Sequence, residues 1–341
     1  MSVPVLTFFN TKAGVGKTSL VFHLAWMLSE MGKRVVAIDL DPQAHLTSAF
    51  LPEETLEALW DPVSPSIEGG TIFRCLRPLL TTTGGGIQPP QTQTITPRLH
   101  LVPGDLALAE FEAPLSVAWA TAINADTAPA HLNDRPFSLL TAIWQVAQMA
   151  GRQHGADLIL ADVGPNLGAI NRSALIGCDH VVIPLAADLL SLQGVRSLGP
   201  ALAGWRSDWC QRTRHCGTQP GFDVPTGAMK PEGYILMQHT ERLVRTVNAQ
   251  QKWGSRIPPT YRSSVLGQSN ANDGTNASDG NCLARMKHYR SLMPMAQEVR
   301  KPIFHLSSAD GAIGSHAQAV RDAWSDFKAL AVAIEQRIWP L

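Results

Sequence analysis

Apolar and polar positions along this chain alternate in a pattern that predicts short buried strands between amphipathic helices. Residues 3–9 form an apolar run without helical period, and residues 35–38 form a second one. Between them, residues 17–31 carry apolar side chains every three or four positions, which predicts a helix that ends at Gly32. Strand, loop, helix and strand make a βαβ unit, and such units almost always join parallel strands through a right-handed crossover.

The same alternation continues towards the C-terminus. Apolar runs predict further strands at residues 99–102, 158–161, 180–183, 234–237 and 303–306. Helical periodicity predicts helices at residues 138–149, 192–205 and 315–338. Strands that are buried on both faces of a parallel sheet read as continuous apolar runs, as these do. We therefore expect an α/β fold, with a mostly parallel twisted sheet flanked by helices on both faces.

Two polar segments interrupt this pattern. Residues 81–97, within a broader irregular stretch near 60–98, are rich in Thr, Gly, Gln and Pro and indicate an exposed loop. Residues 268–281 are rich in Asn and Gly and indicate a second loop. Neither segment is long enough to be a domain, so we expect a single decorated domain over residues 1–341.

Length and composition exclude several classes of protein. The chain has 341 residues, 45% of them hydrophobic and 16% charged, so it is not a disordered chain. Twenty-eight basic residues balance twenty-eight acidic ones, which argues against a histone-like polycation. None of the five cysteines forms a C-x-x-C pair, and no signal peptide or membrane-spanning apolar run is visible. We therefore expect a cytoplasmic protein in a reducing compartment.

One loop carries most of the chemical information. Residues 11–19 read T-K-A-G-V-G-K-T-S and lie between the first predicted strand and the first predicted helix. Glycines let the backbone approach a phosphate closely, and a helix N-terminus favours an anion. Lys17 can reach the β- and γ-phosphates, and the Thr18 hydroxyl can coordinate Mg²⁺. The strict pattern G-x-x-x-x-G-K-[ST] is not met, because Thr11 occupies the first glycine position.

Several motifs together resemble a known family. Residues 12–18 (K-A-G-V-G-K-T) resemble the deviant Walker A motif, K-G-G-x-G-K-[ST], of the ParA/MinD family of P-loop ATPases. Residues 39–43 (D-L-D-P-Q) match that family's D-x-D-P-Q segment, in a form more typical of ParA than of MinD. Residues 160–165 (L-A-D-V-G-P) lie where the family has its Walker B strand. Later segments that resemble ParA are Pro184, residues 191–194 (S-L-Q-G) and residues 301–303 (K-P-I).

The resemblance implies a P-loop NTPase fold and gives individual residues a role. Lys17 and the loop amides would hold the phosphates of ATP, while Thr18 and Asp162 would hold Mg²⁺, the latter through water. Asp41 would orient or deprotonate the attacking water, and Asp39 would support the metal shell. The implied catalytic residues are Lys12, Lys17 and Asp41. The implied ATP contacts are Lys12, Ala13, Gly14, Val15, Gly16, Lys17, Thr18 and Ser19. The motifs do not identify the adenine contacts, for which Gln238, directly after a predicted strand, is the candidate.

Lys12 corresponds to the family's signature lysine. The resemblance implies that it reaches the phosphates of a second subunit, so that ATP induces a homodimer. A cation supplied in trans acts like an arginine finger, which can change a rate by about 10³- to 10⁵-fold.

This chain departs from the family at two places, and several assignments have a plainer alternative. Ala13 stands where the family has glycine, and its methyl group is either absorbed or weakens dimerisation. The V-G-P of residues 163–165 replaces the usual paired prolines. Lys12 could also be a solvated loop lysine, Asp39 a helix N-cap, and Asp162 the polar end of a strand.

Basic residues are concentrated in one part of the chain. Residues 190–300 contain fourteen Lys or Arg and seven Asp or Glu, an excess of seven positive charges in a neutral chain. Non-specific DNA binding requires such clustering, and ParA proteins bind DNA through their C-terminal half. The candidate DNA-binding residues are Arg206, Arg212, Arg214, Arg242 and Arg245. The alternative is an ordinary set of solvated surface arginines.

We therefore expect a nucleoid-associated, ParA-like ATPase with ATP and Mg²⁺ as cofactors. It would dimerise on ATP, bind DNA non-specifically and position or segregate a plasmid, chromosome or other large cargo. A ParB-like or other adaptor protein would stimulate its slow hydrolysis. One alternative is a regulatory or assembly ATPase of secretion, conjugation or defence that acts through protein partners only; another is an ATP-dependent ligase or kinase. We expect no membrane attachment, since residues 323–341 carry only Lys328 and Arg337 as basic residues.

Overall fold

One mostly parallel sheet organises the described part of the chain. The computed structural model describes residues 2–61, 69–81, 85–122, 130–214, 223–237, 252–268, 279–287, 289 and 291–340. The strands are β1 (Val5–Phe8), β2 (Val35–Asp39), β3 (Gln93–Thr96), β4 (Leu99–Val102), β5 (Leu158–Asp162), β6 (His180–Ala186), β7 (Lys230–Met237) and β8 (Cys282–Met286). They form an eight-stranded sheet in the order β3-β4-β2-β5-β1-β6-β7-β8. Neighbouring strands are parallel, except that β3 and β4 are antiparallel.

Helices connect most of these strands. They are α1 (Lys17–Glu30), α2 (His45–Phe50), α3 (Glu53–Trp60), α4 (Ile72–Leu76), α5 (Glu112–Thr121), α6 (Ala130–Gln153), α7 (Ala169–Ile176), α8 (Leu189–Thr213), α9 (Ile257–Ser264), α10 (Leu292–Glu298) and α11 (Ser315–Ile338). Short 3₁₀ helices occupy Arg77–Leu80, Leu106–Phe111, Ile303–His305 and Ser308–Asp310. Within the described residues, no helix combines the length and the apolar character that crossing a bilayer requires.

The sheet is buried on both faces, because successive residues of a strand point to opposite sides. Leu6 and Phe8 of β1 belong to the apolar layer that contains α1 and Phe327 of α11. Val5, at the start of the same strand, belongs to the opposite layer with Ile143 of α6. The expected architecture, a mostly parallel sheet with helices on both faces, is therefore confirmed. It brings the carboxyl ends of β1, β2 and β5 together at one edge.

Two sequence-based predictions of local structure are wrong. Residues 303–306 were predicted as a strand, but Ile303–His305 forms a 3₁₀ helix after Pro302. This segment is apolar because Ile303 and Phe304 are buried against helices, not because it joins the sheet. Within the loop predicted at residues 81–97, Gln93–Thr96 forms the antiparallel edge strand β3, whose half-exposed side chains give no apolar run.

Candidate functional site

The loop between β1 and α1 has the backbone of an anion-binding loop. Gly14 and Gly16 have φ values of +69° and +92°, in the left-handed region that side chains disfavour. A Cβ atom on Gly16 would also lie 3.0 Å from Cε of Met237. Ala13, the departure from the family pattern, has a φ outside that region and is exposed. Its methyl group is therefore accommodated without backbone strain within this chain.

The first turn of α1 offers its backbone amides to this loop. Gly16 is the N-cap residue, and no described side chain caps the helix or places an acidic group in its first turn. The amides and the helix dipole therefore favour a negatively charged ligand. Lys17 is 7% exposed, and its Nζ donates a 3.3 Å hydrogen bond to the Lys12 carbonyl oxygen. Burial lowers the pKa of Lys17, and Asp162 and Asp41 oppose that shift.

Asp162, at the end of β5, is a buried carboxylate whose two oxygens have no hydrogen-bond partner among the described residues. Burial raises its pKa well above the ordinary value, and the charges of Asp39 and Asp41 add to that effect. The Thr18 hydroxyl, which lies near the carboxylate without completing a well-formed hydrogen bond to it, and the Lys17 ammonium act in the opposite direction. This arrangement, a buried carboxylate beside a threonine hydroxyl at a phosphate loop, is suited to binding Mg²⁺. The positive charge of the ion would offset the free-energy cost of burying the negative charge of Asp162.

This donor set suits a metal ion that takes most of its ligands from elsewhere. Among the residues that the structure describes, no three His, Cys, Asp or Glu side chains form a metal-binding cluster. Mg²⁺ commonly binds through one or two protein groups, substrate phosphates and water, so such a cluster is not needed. Thr18 and Asp162 are the residues that would hold it.

Asp39, to which the resemblance gives a role in supporting the metal shell, is hydrogen-bonded within its own chain. It is fully buried at the end of β2, directly opposite Asp162 in the parallel register. Its Oδ2 accepts hydrogen bonds from the Thr47 amide (2.8 Å) and hydroxyl (2.7 Å), and its Oδ1 accepts one from the Asp41 amide (3.3 Å). These hydrogen bonds fix the chain that carries Asp41, and the implied role of Asp39 in supporting the metal shell stays a prediction. The alternative role, that of a helix cap, agrees with these hydrogen bonds, because Thr47 lies in the first turn of α2.

Asp41 lies at the mouth of the site. It is 8% exposed, and its Oδ1 accepts a 3.0 Å hydrogen bond from the Gln43 amide. A Cβ atom on Gly164 would lie 3.4 Å from that same oxygen, an ordinary contact distance, so the V-G-P segment lies next to Asp41. Ala44 completes the turn with a φ of +51°, a conformation that alanine rarely adopts. The carboxylate of Asp41 is thus held in one place by its own loop.

The loop that follows β5 is held by hydrogen bonds from two sides. Nδ2 of Asn171 donates to the carbonyl oxygens of Gly164 (2.9 Å) and Asn166 (2.8 Å). The carboxylate of Glu112 accepts hydrogen bonds from the Ala169 and Ile170 amides at the start of α7 (2.5 and 3.1 Å). The segment that would face the γ-phosphate is therefore connected to α5 and α7.

Two neighbouring cavities meet at the loop. The larger, about 610 Å³, runs from Asp41 past Lys17 and Thr18 to Gln297 and Lys301. The smaller, about 170 Å³, lies between the loop and the ends of β7 and β8. Its apolar lining includes Met237, Met286, Tyr289, Met293 and Phe327. Gln238, the predicted adenine contact, lies outside the described residues, but Met237 immediately precedes it.

Lys12 is held within its own chain. Its Nζ forms a short ion pair with Oδ2 of Asp188, the N-cap residue of α8. The sequence pattern did not single out Asp188, and the D-x-x-S spacing to Ser191 was the available signal for its capping role. Thr47 and Asn171 were also missed, because their hydrogen bonds to residues in neighbouring loops and strand ends follow no recognisable sequence pattern.

The predicted DNA-binding arginines differ in their surroundings. Arg214 is exposed at the end of α8, whereas Arg206 is half-buried and donates a 3.0 Å hydrogen bond to the Met229 carbonyl oxygen. Arg212 is 5% exposed, stacks on Trp119 and hydrogen-bonds to its carbonyl oxygen. The prediction that Arg212 contacts DNA is therefore corrected, because its guanidinium is used inside the fold. Arg242 and Arg245 lie outside the described residues.

Together, the central parallel strand, the glycine-containing loop, the uncapped helix and the buried lysine define a P-loop nucleotide-binding protein. Residues 3–207 match the family described as an AAA domain. The chain belongs to this family and, within it, to the ParA/MinD-type P-loop ATPases, close to the partition ATPases.

Curated relatives support this assignment. The chain is 28% identical over 221 residues to the chromosome-partitioning ATPase Soj of Thermus thermophilus, covering 61% of this chain and 65% of Soj. It is 28% identical over 191 residues to the cell division protein PomZ of Myxococcus xanthus, covering 56% of this chain and 49% of PomZ. The matches thus span about half to two thirds of these relatives' length.

Solved structures show the same fold over nearly the whole chain. A crystal structure of a protein of Corynebacterium diphtheriae aligns with a TM-score of 0.69 at 20% identity, covering 99% of each chain. An ATP complex of McdA from Cyanothece aligns with a TM-score of 0.58 at 15% identity, covering 98% of this chain and 96% of McdA.

Proposed function

We propose that this protein is a ParA-like ATPase that dimerises on ATP, binds DNA non-specifically and positions or segregates a large cargo. The observation that carries the proposal is the unpaired, fully buried carboxylate of Asp162 facing Lys17 and Thr18 beneath an uncapped helix. Such a carboxylate is costly to bury unless a cation binds there. A P-loop that recruits Mg²⁺ together with a nucleoside triphosphate supplies that cation.

The nucleotide would lie across the two cavities. The amides at the start of α1 and Lys17 bind the phosphates, and the apolar cavity beside Met237 and Tyr289 takes the base. Bound Mg²⁺ neutralises charge on the phosphates. Asp41, fixed by the Gln43 amide, orients the attacking water and accepts its proton.

A second copy of the chain would complete the site. Lys12 would place its ammonium group against the phosphates of the twin subunit, where charge develops in the transition state. A site that needs a twin hydrolyses slowly until dimerisation, and a ParB-like or other adaptor would accelerate it further. In this proposal Lys12 acts on the nucleotide of a second subunit. Its side chain therefore need not point towards the phosphate site of its own chain, and in this structure it pairs with Asp188.

DNA binding would use the basic excess of residues 190–300. Exposed Arg214 and half-buried Arg206 are the described candidates, with Arg242 and Arg245 as further ones. Nucleoid association in the cytoplasm would follow from such binding. Arg212 does not contribute to this basic surface, because its guanidinium is hydrogen-bonded inside the fold. The smaller basic set leaves a second candidate function, a ParA-like regulatory or assembly ATPase that acts through protein partners only.

Retention on DNA in a salt series separates the two functions. The protein is applied to immobilised non-specific duplex DNA with Mg²⁺ and ATPγS, ADP or no nucleotide, from 50 to 300 mM salt. A partition-type ATPase binds with ATPγS only, and log K falls linearly with log[salt]. At 50 mM salt, absent retention in all three nucleotide states would reject DNA binding and favour the protein-only function. Equal retention in all three states would reject ATP-dependent DNA binding, and with it the partition-type function.

A further inference from the structure

The side chain of Lys12 and the first turn of α8 form a connected unit. Lys12 pairs with Oδ2 of Asp188, and the Asp188 Oδ1 accepts a 2.8 Å hydrogen bond from the Ser191 amide. The Ser191 hydroxyl in turn accepts a 3.2 Å hydrogen bond from the Ala186 amide at the end of β6. One carboxylate therefore caps α8 and holds the lysine at the same time.

The backbone of Lys12 is fixed independently of this ion pair. Its amide donates a 2.9 Å hydrogen bond to Oδ1 of Asn10, and Nδ2 of Asn10 donates a 2.7 Å one to the Pro184 carbonyl oxygen. A Cβ atom on Gly194 of α8 would lie 3.2 Å from the same Asn10 oxygen, so helix and loop are closely packed. Breaking the ion pair would therefore move only the Lys12 side chain.

We propose that Asp188 is a positioning residue that holds Lys12 in its own subunit and thereby opposes ATP-dependent dimerisation. The inference rests on the proposed function, in which Lys12 reaches the phosphates of a twin. Lys12 cannot do so while its Nζ is paired with Asp188, so each subunit must break one ion pair on dimerisation. The pair is partly exposed, with 27% of the Lys12 and 39% of the Asp188 side chain accessible, so breaking it is feasible.

The surface beside the ion pair is suited to a second copy of the chain. Leu189 and Leu190, which directly follow Asp188 in the chain, are 46% and 70% exposed. Large apolar side chains grouped around a functional residue are typical of surfaces that a partner covers. A twin that covers these leucines would also approach Lys12.

The central test compares dimerisation of the wild type with that of Asp188→Asn. Asparagine keeps the acceptor for the Ser191 amide, so α8 remains capped while the charge is removed. The dimer dissociation constant is measured by analytical ultracentrifugation with ATPγS and Mg²⁺. Two ion pairs are broken per dimer, so Asp188→Asn should tighten the dimer by about twofold to thirtyfold. Asp208→Asn, which removes a charge from the other end of the same helix, should leave it unchanged.

A double-mutant cycle distinguishes positioning from a purely structural role. In a Lys12→Gln background, Asp188→Asn should no longer change the dimer dissociation constant, because no ammonium group remains to be released. The same tightening in both backgrounds, or weaker dimerisation of Asp188→Asn, would overturn the proposal for Asp188. A wild type that stays monomeric with ATPγS would instead reject the proposed dimer itself, and Asp188 would lose its role with it.

Discussion

The Thr47 hydroxyl donates a 2.7 Å hydrogen bond to Oδ2 of Asp39 while accepting a 2.7 Å hydrogen bond from the Gly104 amide. All three groups are buried, so this hydroxyl satisfies two polar groups that water does not reach. A Cβ atom on Gly104 would lie 2.8 Å from Cγ of Asp39, so the chain after β4 packs directly against the Asp39 side chain. Thr47 thereby connects the ends of β2 and β4 below Asp41.

Thr47→Val should therefore destabilise the protein. Valine has nearly the same shape but leaves the Asp39 carboxylate and the Gly104 amide each short of a partner, at a cost of about 2 to 4 kcal/mol. The free energy of unfolding in urea measures the loss, and Thr47→Ser, which keeps the hydroxyl, is the matched control. Equal stability of the valine and serine variants would contradict the proposed role of the hydroxyl.

Asp41→Asn tests the proposed role of Asp41 in hydrolysis. The amide oxygen keeps the acceptor for the Gln43 amide, so the loop retains its shape, but it cannot take a proton from water. ATP hydrolysis should fall by about 10²- to 10⁴-fold, while nucleotide affinity stays close to that of the wild type. Phosphate release and binding of a fluorescent ATP analogue measure the two properties. Unchanged hydrolysis would remove Asp41 from the reaction.

The fold and the phosphate loop could be predicted from the sequence because both depend on local pattern. Apolar runs marked the buried strands, and the K-A-G-V-G-K-T loop followed the first of them. Contacts between distant residues could not be predicted. Lys12 and Asp188 are 176 positions apart, and nothing near Arg212 in the sequence indicates that Trp119 covers it. The apolar run at Ile303 was misassigned because burial against helices produces the same composition as burial in a sheet.

Mg²⁺ binding should be linked to the release of a proton from Asp162. Burial and the nearby carboxylates raise the pKa of Asp162, so the group tends to hold a proton until a cation arrives. Mg²⁺ affinity in the presence of ADP should therefore rise as pH increases through the raised pKa of Asp162. Calorimetry in buffers of different ionisation enthalpy measures the protons released. Asp162→Asn should abolish the pH dependence specific to this site, and an unchanged dependence would contradict the assignment.

His23 should make the protein less stable in mild acid. Burial lowers the pKa of His23 to about 4, and its Nε2 accepts a 3.1 Å hydrogen bond from the Ile303 amide, so the folded protein holds it neutral. The unfolded chain binds a proton below pH 6.5, which favours unfolding progressively as pH falls towards 4. Between pH 8 and pH 5 this linkage should cost about 2 kcal/mol.

His23→Gln isolates that contribution, because the other titrating groups stay the same. The free energy of unfolding of both proteins is measured in urea at pH 8 and pH 5. Between pH 8 and pH 5, the free energy of unfolding of the wild type should fall by about 2 kcal/mol more than that of His23→Gln. A difference that does not depend on pH would show that His23 does not titrate as its burial implies.

Arg212 and Arg214 provide a paired test of the corrected DNA-binding set. Arg212 stacks on Trp119 and donates hydrogen bonds to the carbonyl oxygens of Trp119 (3.2 Å) and Asp208 (2.9 Å). Arg212→Ala should therefore lower the free energy of unfolding by about 1 to 3 kcal/mol, through lost hydrogen bonds and ring contact. Arg214 is exposed at the end of α8, so Arg214→Gln should leave stability within about 0.5 kcal/mol of the wild type.

DNA retention, unlike stability, should depend on Arg214 and not on Arg212. If Arg214 contacts one phosphate, Arg214→Gln should weaken ATPγS-dependent retention and reduce the slope of log K against log[salt] by about 0.9. Arg212→Ala, measured at a temperature where it remains folded, should keep the wild-type slope, because its guanidinium faces Trp119 and not solvent. A reduced slope for Arg212→Ala together with a wild-type slope for Arg214→Gln would reverse this assignment. DNA would then have to bind where α5 meets α8, which requires Arg212 to leave Trp119.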